Sequence, residues 1–436
     1  MKKILYTLLT LILAAVMALC LIACGGEETP EARGPKEDVS VYHSGDGYET
    51  INDMITWDKI NAFPVVHDGM TVEEGRKLVV DFFRYCKTSV WVLDDTYEYK
   101  IREEHTDTIT LQGGSKYGGL PYIVGGTGSV YRLMDYMDPE TGVVDIQRFG
   151  ANPRYFGNQC SYGSYVGVCR VINSCKYGLT MYMNPMNGFV PVGDYKIRDD
   201  VEKFTEDGYN TPVILRENGE EVMYESYAGL KKGDVIVYYT TAGHVVVIAE
   251  DATVVRDGSG KVDPTQSYVQ VLDQTATHVS MTNQAGDTFQ LEANVDAKWT
   301  FQKLFLANYV PYTFKEWTGE DPIESSKTEY SHSGETITLS ELYKSKVTAN
   351  YGVMDLYASV YHSNGKEVYK VAARSNKTSN MELAFSKPTV ASVGNGVDAW
   401  GSEEELDPSQ EYTVKVYAQL TTGERPVVWE GKLVLE

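Results

Sequence analysis

Cys160 has the setting that nucleophilic sulfur chemistry asks for. It follows Gly157-Asn158-Gln159 and stands where a helical pattern begins, with Tyr162, Tyr165, Val166, Cys169 and Ile172 recurring on one face. A thiol at a helix N-terminus lies at the positive end of the helix dipole, which lowers its pKa and favours the thiolate. The N–H groups of that first turn have no intrahelical acceptor and can hold an oxyanion. Cys169 lies on the apolar face and reads as a small buried hydrophobe, as do Cys86 and Cys175. No Cys-x-x-Cys pair occurs, so no thiolate metal site is expected. Cys160 and Cys169 would be about half a rotation out of phase on one helix, beyond bridging distance.

A thiolate needs a base, and the chain has seven histidines. His43 and His67 fall in early polar segments, and His105 lies beside Glu103 and Glu104. His278 follows a strand-like run, while His332 and His362 belong to the C-terminal β region. His244 differs: it follows a turn at the head of the apolar run Val245-Val246-Val247-Ile248, where a polar side chain must have a partner. A catalytic imidazole is oriented by a third polar group. In Tyr268-Val269-Gln270-Val271-Leu272-Asp273-Gln274, alternation puts Asp273 on the face of Val269 and Val271 at the end of the run. Asp273 is expected in that role, with Gln274 as its substitute.

These residues need elements to carry them. Thr71-Val72-Glu73-Glu74 has capping-box spacing, and Leu78, Val79, Phe82, Phe83 and Cys86 behind it predict an amphipathic helix over 72–88. Gly163 and Gly167 leave a strip without side chains on which a neighbouring strand could lie. Residues 111–130 carry three Gly-Gly pairs without a Gly-Lys-Ser/Thr, which reads as a turn-rich surface segment leading to Tyr122, not a phosphate loop. After residue 210 the chain reads mostly as β, with 235–239 and 245–249 joined by 240–244, and with 297–309 as one more helix.

The order Cys, Gly-Asp, Gly-His-Val and then an acid at a strand end resembles the NlpC-type cell-wall cysteine peptidases. Gln159-Cys160-Ser161-Tyr162-Gly163 occupies the slot of that family's Asp-Cys-Ser-Gly-Phe motif, with Gln159 where Asp is usual. Gly233-Asp234 and His244–Ile248 resemble its histidine segment, and Gly119-Leu120-Pro121-Tyr122 its upstream Gly-x-Pro-Tyr. The resemblance spans about residues 70–312. It implies a papain-like fold, Cys160 attacking amide carbonyls of wall peptides, Ser161 at the oxyanion site and Tyr122 lining the mouth. The stretch 180–230 reads as an insertion outside that small core.

The remaining chain fixes the setting. Lys2 and Lys3 precede an apolar run ending Leu21-Ile22-Ala23-Cys24, which resembles a lipobox: 1–23 would be an export signal and Cys24 a lipidated N-terminus. Residues 24–40 read as a tether, 41–318 as the hydrolase domain and 325–436 as a second domain. In the latter, alternating runs at 336–339, 353–361, 368–373, 381–385, 412–420 and 427–435 predict an immunoglobulin-like β-sandwich. The expected class is therefore α+β. A net charge of −22 repels phosphate backbones and argues against a nucleic-acid partner. The expectations are a monomer in the bacterial envelope, anchored to the membrane through Cys24, needing no cofactor or metal and acting on wall peptide. The competing class is a non-catalytic surface lipoprotein whose tyrosines bind a wall polymer or protein. An amidase or acyl transferase on the same fold is a third.

Overall fold

The computed structural model describes residues 54–101, 108–138, 141–145, 156–174, 178–282, 288–375, 381–389 and 396–435, without the side chains of 276–282, 288–292 and 294. The signal, Cys24, the tether, His43, His105 and Cys175 lie outside these residues, as does the side chain of His278. Among the described residues no helix is long and apolar enough to cross a membrane.

The chain is mixed α+β. The short α1 (Trp57–Asn61) precedes α2 (Val72–Thr88), which starts where its capping box puts it: Thr71 accepts from the Glu74 N–H, and Glu74 accepts from the Thr71 N–H. Leu78, Val79, Phe82 and Phe83 then bury one face of α2. The strands that follow are β1 (Val90–Leu93), β2 (Tyr97–Tyr99), β3 (Ile109–Leu111), β4 (Lys116–Gly118) and β5 (Val143–Val144), with α3 (Val130–Tyr136) before β5. Next come α4 (Cys160–Val168), β6 (Phe189–Pro191), α5 (Thr211–Asn218) and α6 (Glu220–Ala228). The centre is built by β7 (Val235–Tyr239), β8 (Gly243–Thr253), β9 (Tyr268–Thr282) and β10 (Thr288–Thr300), then α7 (Phe301–Leu306) and β11 (Val310–Phe314).

Nine of these strands form one sheet in the order β5-β1-β4-β10-β9-β8-β7-β11-β6. Its middle, from β10 to β6, is antiparallel throughout. The helices α2 and α4 pack against each other and against β8 and β9. A buried ion pair pins α2 to the sheet: Arg84 holds both oxygens of Asp296, at 3.0 and 2.8 Å. Asp296 sits at a bulge in β10 with φ of 54°, a conformation that Asp tolerates better than most residues.

From Thr328 on, all described strands pair only among themselves. β12 (Thr328–Tyr330), β13 (Thr336–Thr338), β14 (Lys346–Ala349), β15 (Val353–His362), β16 (Glu367–Arg374), β17 (Glu382–Ala384), β18 (Val397–Trp400), β19 (Tyr412–Leu420) and β20 (Val427–Val434) make a six-stranded and a three-stranded sheet over a separate core.

Several expectations need correction. The surface that meets Gly163 and Gly167 is helix α2, not a strand: a Cβ on Gly167 would come within 2.4 Å of the Phe83 ring. Residues after 210 open with two helices. Asn210 caps α5 by accepting from the Val213 N–H, Pro212 occupies its first turn, and Gly219 (φ +78°) separates it from α6. Residues 297–300 belong to β10, and the helix there is only α7, capped by Thr300. Part of 111–130 is buried rather than surface, including Tyr117, Leu120 and Ile123. The 180–230 stretch is not outside the core. Its β6 adds an edge strand to the main sheet, and Phe189, Phe204, Ile214 and Leu215 join the main core.

Candidate functional site

Cys160 is the first residue of α4 and is 5% exposed. Gln159 precedes it in extended conformation and makes no side-chain cap, so the first-turn N–H groups of α4 are not used by it. The Gln159 side chain instead accepts from the Gly125 N–H at 2.9 Å. That bond ties the glycine-rich loop to the start of α4. The same loop is stitched alongside: Ile123 N–H donates to Asn158 at 3.0 Å and Asn158 N–H to Pro121 at 2.9 Å. Tyr122, half-buried, is thereby bridged to Asn158 in the segment leading into Cys160. Ser161 is buried in the same first turn.

His244 reaches Cys160 from β8. Its neighbour Gly243 explains how: a Cβ there would lie 1.7 Å from the Thr180 hydroxyl, so only glycine lets the chain pass Thr180. The Cys160 thiol points toward the Gly243 carbonyl, 4.0 Å away. His244 Nε2 and Asp273 Oδ1 are 2.7 Å apart, which leaves Nδ1 as the ring nitrogen for the sulfur. Pairing of β8 with β9 puts Val247 opposite Leu272 and Ile248 opposite Val271. By period-two alternation His244 and Asp273 then share a face. Asp273 is not at a strand end, as the sequence pattern suggested; β9 runs on to Thr282.

The electrostatics favour a charged pair. Burial works against the Cys160 thiolate, but the charge and hydrogen bond of His244 and the Val245 N–H outweigh it, with Asp273 opposing. The thiol ends below its ordinary range. Burial likewise disfavours the His244 imidazolium, yet Asp273 and Cys160 carry it well above the ordinary histidine value. Both shifts work toward thiolate beside imidazolium. Such a pair can add sulfur to an electrophilic carbon and return a proton to a leaving group.

The structure thus brings Cys160, His244 and Asp273 together. Gln274 goes elsewhere: its amide N–H donates to the Leu120 carbonyl at 2.9 Å, and its oxygen accepts from Lys87. The Gly-Asp of the histidine segment is also outside the site. Asp234 accepts from Arg76 at 2.9 Å, Thr313 at 2.6 Å and the Lys231 N–H at 2.8 Å, fastening α2 to the sheet. Cys86 and Cys169 are buried packing residues, and burial pushes the Cys86 thiol up to about 12. His67 Nδ1 contacts the Asp68 carbonyl, His332 contacts the Thr336 carbonyl and the Trp429 ring, and His362 packs against Tyr412. The role of two residues near the site escaped the sequence reading. Gly243 stands in the Gly-His-Val run, but its passage against Thr180 leaves no local signature. Lys87 did leave one: it falls four residues after Phe83 and beside Cys86, on the apolar stripe of α2.

No family model matches the chain, and no curated protein matches it.

Proposed function

We propose that this chain is a secreted, lipid-anchored cysteine hydrolase of the NlpC type, cleaving amide bonds in peptides of the bacterial cell wall. The observation that carries the reading is the alignment of a cysteine at an uncapped helix start with an imidazole whose far nitrogen is held by a buried carboxylate at 2.7 Å. A nucleophile helix packed on an antiparallel sheet supports a papain-like description of the first region. The two all-β sheets over one core support an immunoglobulin-like sandwich for the second. The wall peptide and the lipid on Cys24 come from the family resemblance and the lipobox.

In this mechanism the Cys160 thiolate adds to the amide carbonyl carbon. The carbonyl oxygen takes the negative charge and is held by N–H groups at Cys160 and Ser161. As the tetrahedral adduct collapses, the C–N bond breaks and the His244 imidazolium gives its proton to the departing amine, leaving a thioester. Neutral His244 then takes a proton from water, whose oxygen attacks the thioester carbon. The acid product leaves and the thiolate–imidazolium pair is restored. Asp273 keeps the ring oriented and stabilises its charge throughout. Tyr122, bridged to Asn158 two residues before Cys160, contributes to the wall of the substrate mouth.

The test is digestion of purified muropeptides by the mature protein, read by mass spectrometry. Cys160→Ala is expected to lower turnover by roughly 10³-fold or more, while Cys169→Ala retains it. Activity that survives Cys160→Ala and is lost in Cys169→Ala overturns the assignment. Wall binding with no cleavage by either the wild type or the variant moves the chain to the binding class.

A further inference from the structure

We propose that Lys87 is a positioning residue of this site: a buried cation that holds Gln274, the neighbour of Asp273 on β9, and balances the negative charge shared by Asp273 and the Cys160 thiolate. The inference rests on the hydrolase reading and deepens it.

Lys87 lies in the last turn of α2 and is 1% exposed. Its ammonium group donates to the Gln274 side-chain oxygen and lies 4.7 Å from the centre of the Phe83 ring. The chain makes room for it: a Cβ on Gly163 of α4 would sit 3.1 Å from Lys87 Nζ and 3.2 Å from Asn158 Nδ2. The nucleophile helix therefore carries a glycine where the lysine tip meets the segment that precedes Cys160. A bulkier residue at 163 would have to displace one of them.

A buried ammonium is retained only where charge or hydrogen bonds compensate it. The one hydrogen-bond partner found here, Gln274, is neutral, and among the described residues no carboxylate pairs directly with Lys87. Three ionisable groups act on it: Cys86 from its own helix, Asp273 from β9 and Cys160 from α4. The Cys86 thiol, pushed up to about 12 by burial, stays neutral and supplies no charge at ordinary pH. That leaves the site. A thiolate, an imidazolium and a carboxylate sum to one negative charge, and the Lys87 ammonium brings the group to neutrality. Burial still pushes the Lys87 ammonium down to about 8. Its support is thus in full force below about pH 8 and is lost as the pH rises through that value. Arginine at the same place would keep its charge throughout.

The experiment follows the Cys160 thiolate in the full mature chain. It uses thiolate ultraviolet absorbance, taken as the difference from Cys160→Ala, and the rate of alkylation by iodoacetamide across pH. Lys87→Met is expected to raise the thiol pKa by about one unit and slow alkylation roughly tenfold on the acid limb, with Lys87→Arg restoring both. An unchanged thiolate titration in a folded Lys87→Met protein overturns the proposal. If that variant does not fold, the wild type decides. The Lys87 amino group is titrated by NMR before and after Cys160 is capped with iodoacetamide, which removes the thiolate charge. Reciprocity requires the Lys87 titration to move to lower pH on capping; a titration that stays put also overturns the proposal. Wild-type Cys160 reacting no faster than an ordinary thiol counts against the hydrolase reading itself. A fast thiol that ignores Lys87 sinks only the inference.

Discussion

The protein buries charge in two places, and the two are built on opposite terms. At the seam between the first region and the C-terminal sheets, Arg132 is fully buried with its donors committed. It donates to Asp355 at 3.0 Å, to the Thr127 carbonyl and hydroxyl at 2.6 and 2.8 Å, and to the carbonyls of Met354 and Ser375 at 3.0 Å. Arg374 pairs with Asp398 and with Asp135 of α3, and Tyr357 donates to Asp135 at 2.6 Å. At the site, by contrast, His244 Nε2 and Asp273 Oδ1 are 2.7 Å apart, and the Cys160 thiol lies 4.0 Å from the Gly243 carbonyl. The seam uses guanidinium groups that never lose their charge, saturated with acceptors. The site uses groups that can gain and lose protons, a thiol and an imidazole, set beside a carboxylate. Charge held in guanidinium–carboxylate pairs ties the two regions together; charge on a thiol and an imidazole can move with the proton. The C-terminal region is accordingly more than a spacer on a flexible lead. Tyr351 donates to the Val171 carbonyl at 3.1 Å, and Tyr165 of α4 lies against Gly352.

If that contrast is right, removing one partner at the seam costs stability and little else. Arg132→Met leaves Asp355 with only the more distant Arg374, at 3.5 Å. The expected loss is about 3–5 kcal/mol in a urea or guanidinium unfolding curve, the range for breaking a buried pair. Cys160 alkylation in the folded protein is expected to stay within about twofold. A matching fall in thiol reactivity would show that the seam and the site are one coupled network, through Tyr162, whose ring centre is 5.8 Å from the Arg132 guanidinium.

Asp273→Asn should do the reverse. The amide keeps the shape and one acceptor for His244 but removes the charge that supports the imidazolium. Turnover is expected to fall roughly a hundredfold, within the range for general acid–base groups, with stability changed by about 1 kcal/mol or less. The sign of the pH effect follows. Without Asp273 the raised imidazolium pKa drops, so the thiolate–imidazolium window closes from its alkaline side. A pH–turnover profile with an unmoved alkaline limb would break the assignment of Asp273 as the orienting acid.

What the sequence made legible was the part written in local pattern. The capping box and stripe of α2, the helix start at Cys160 and the strand carrying His244 all follow from neighbours within a few residues. So do most of the C-terminal strands. Reading the chain after 210 as mostly β passes over α5 and α6, although Asn210, Pro212 and Gly219 bracket α5, because its apolar run Val213-Ile214-Leu215 suits either structure. The seam could not be read at all. Arg132, Asp355 and Arg374 are far apart in the chain, and a charged residue in an amphipathic pattern looks solvated until its partner folds against it. Lys87 does stand on the apolar stripe of α2, but its partner Gln274 is 187 residues away. Asp273 was placed correctly on its face, but its strand appeared to stop there because the polar run that follows carries no apolar alternation.

The mildest perturbation compares the same chemical change in both places. Gly243→Ala sets a methyl group 1.7 Å from Thr180 Oγ1, 2.5 Å from Thr180 Cβ and 2.9 Å from the Tyr239 ring. A short, branched side chain cannot swing aside, so the chain before His244 must shift, at about 1–3 kcal/mol for overpacking. That same segment presents the carbonyl facing the Cys160 thiol, and a displacement there changes the sulfur–imidazole distance directly. Turnover should fall about tenfold or more with the unfolding midpoint only modestly lower. Gly352→Ala places its methyl 2.1 Å from the Tyr165 hydroxyl, the far end of a long side chain, and 2.9 Å from Thr421. The Tyr165 tip can move without carrying the backbone of α4 with it. The expected outcome is a similar or smaller loss of stability with turnover unchanged. Equal losses of turnover in the two variants would mean that α4 transmits strain from the seam to Cys160, and the separation between holding charge and reacting charge would fail at that helix.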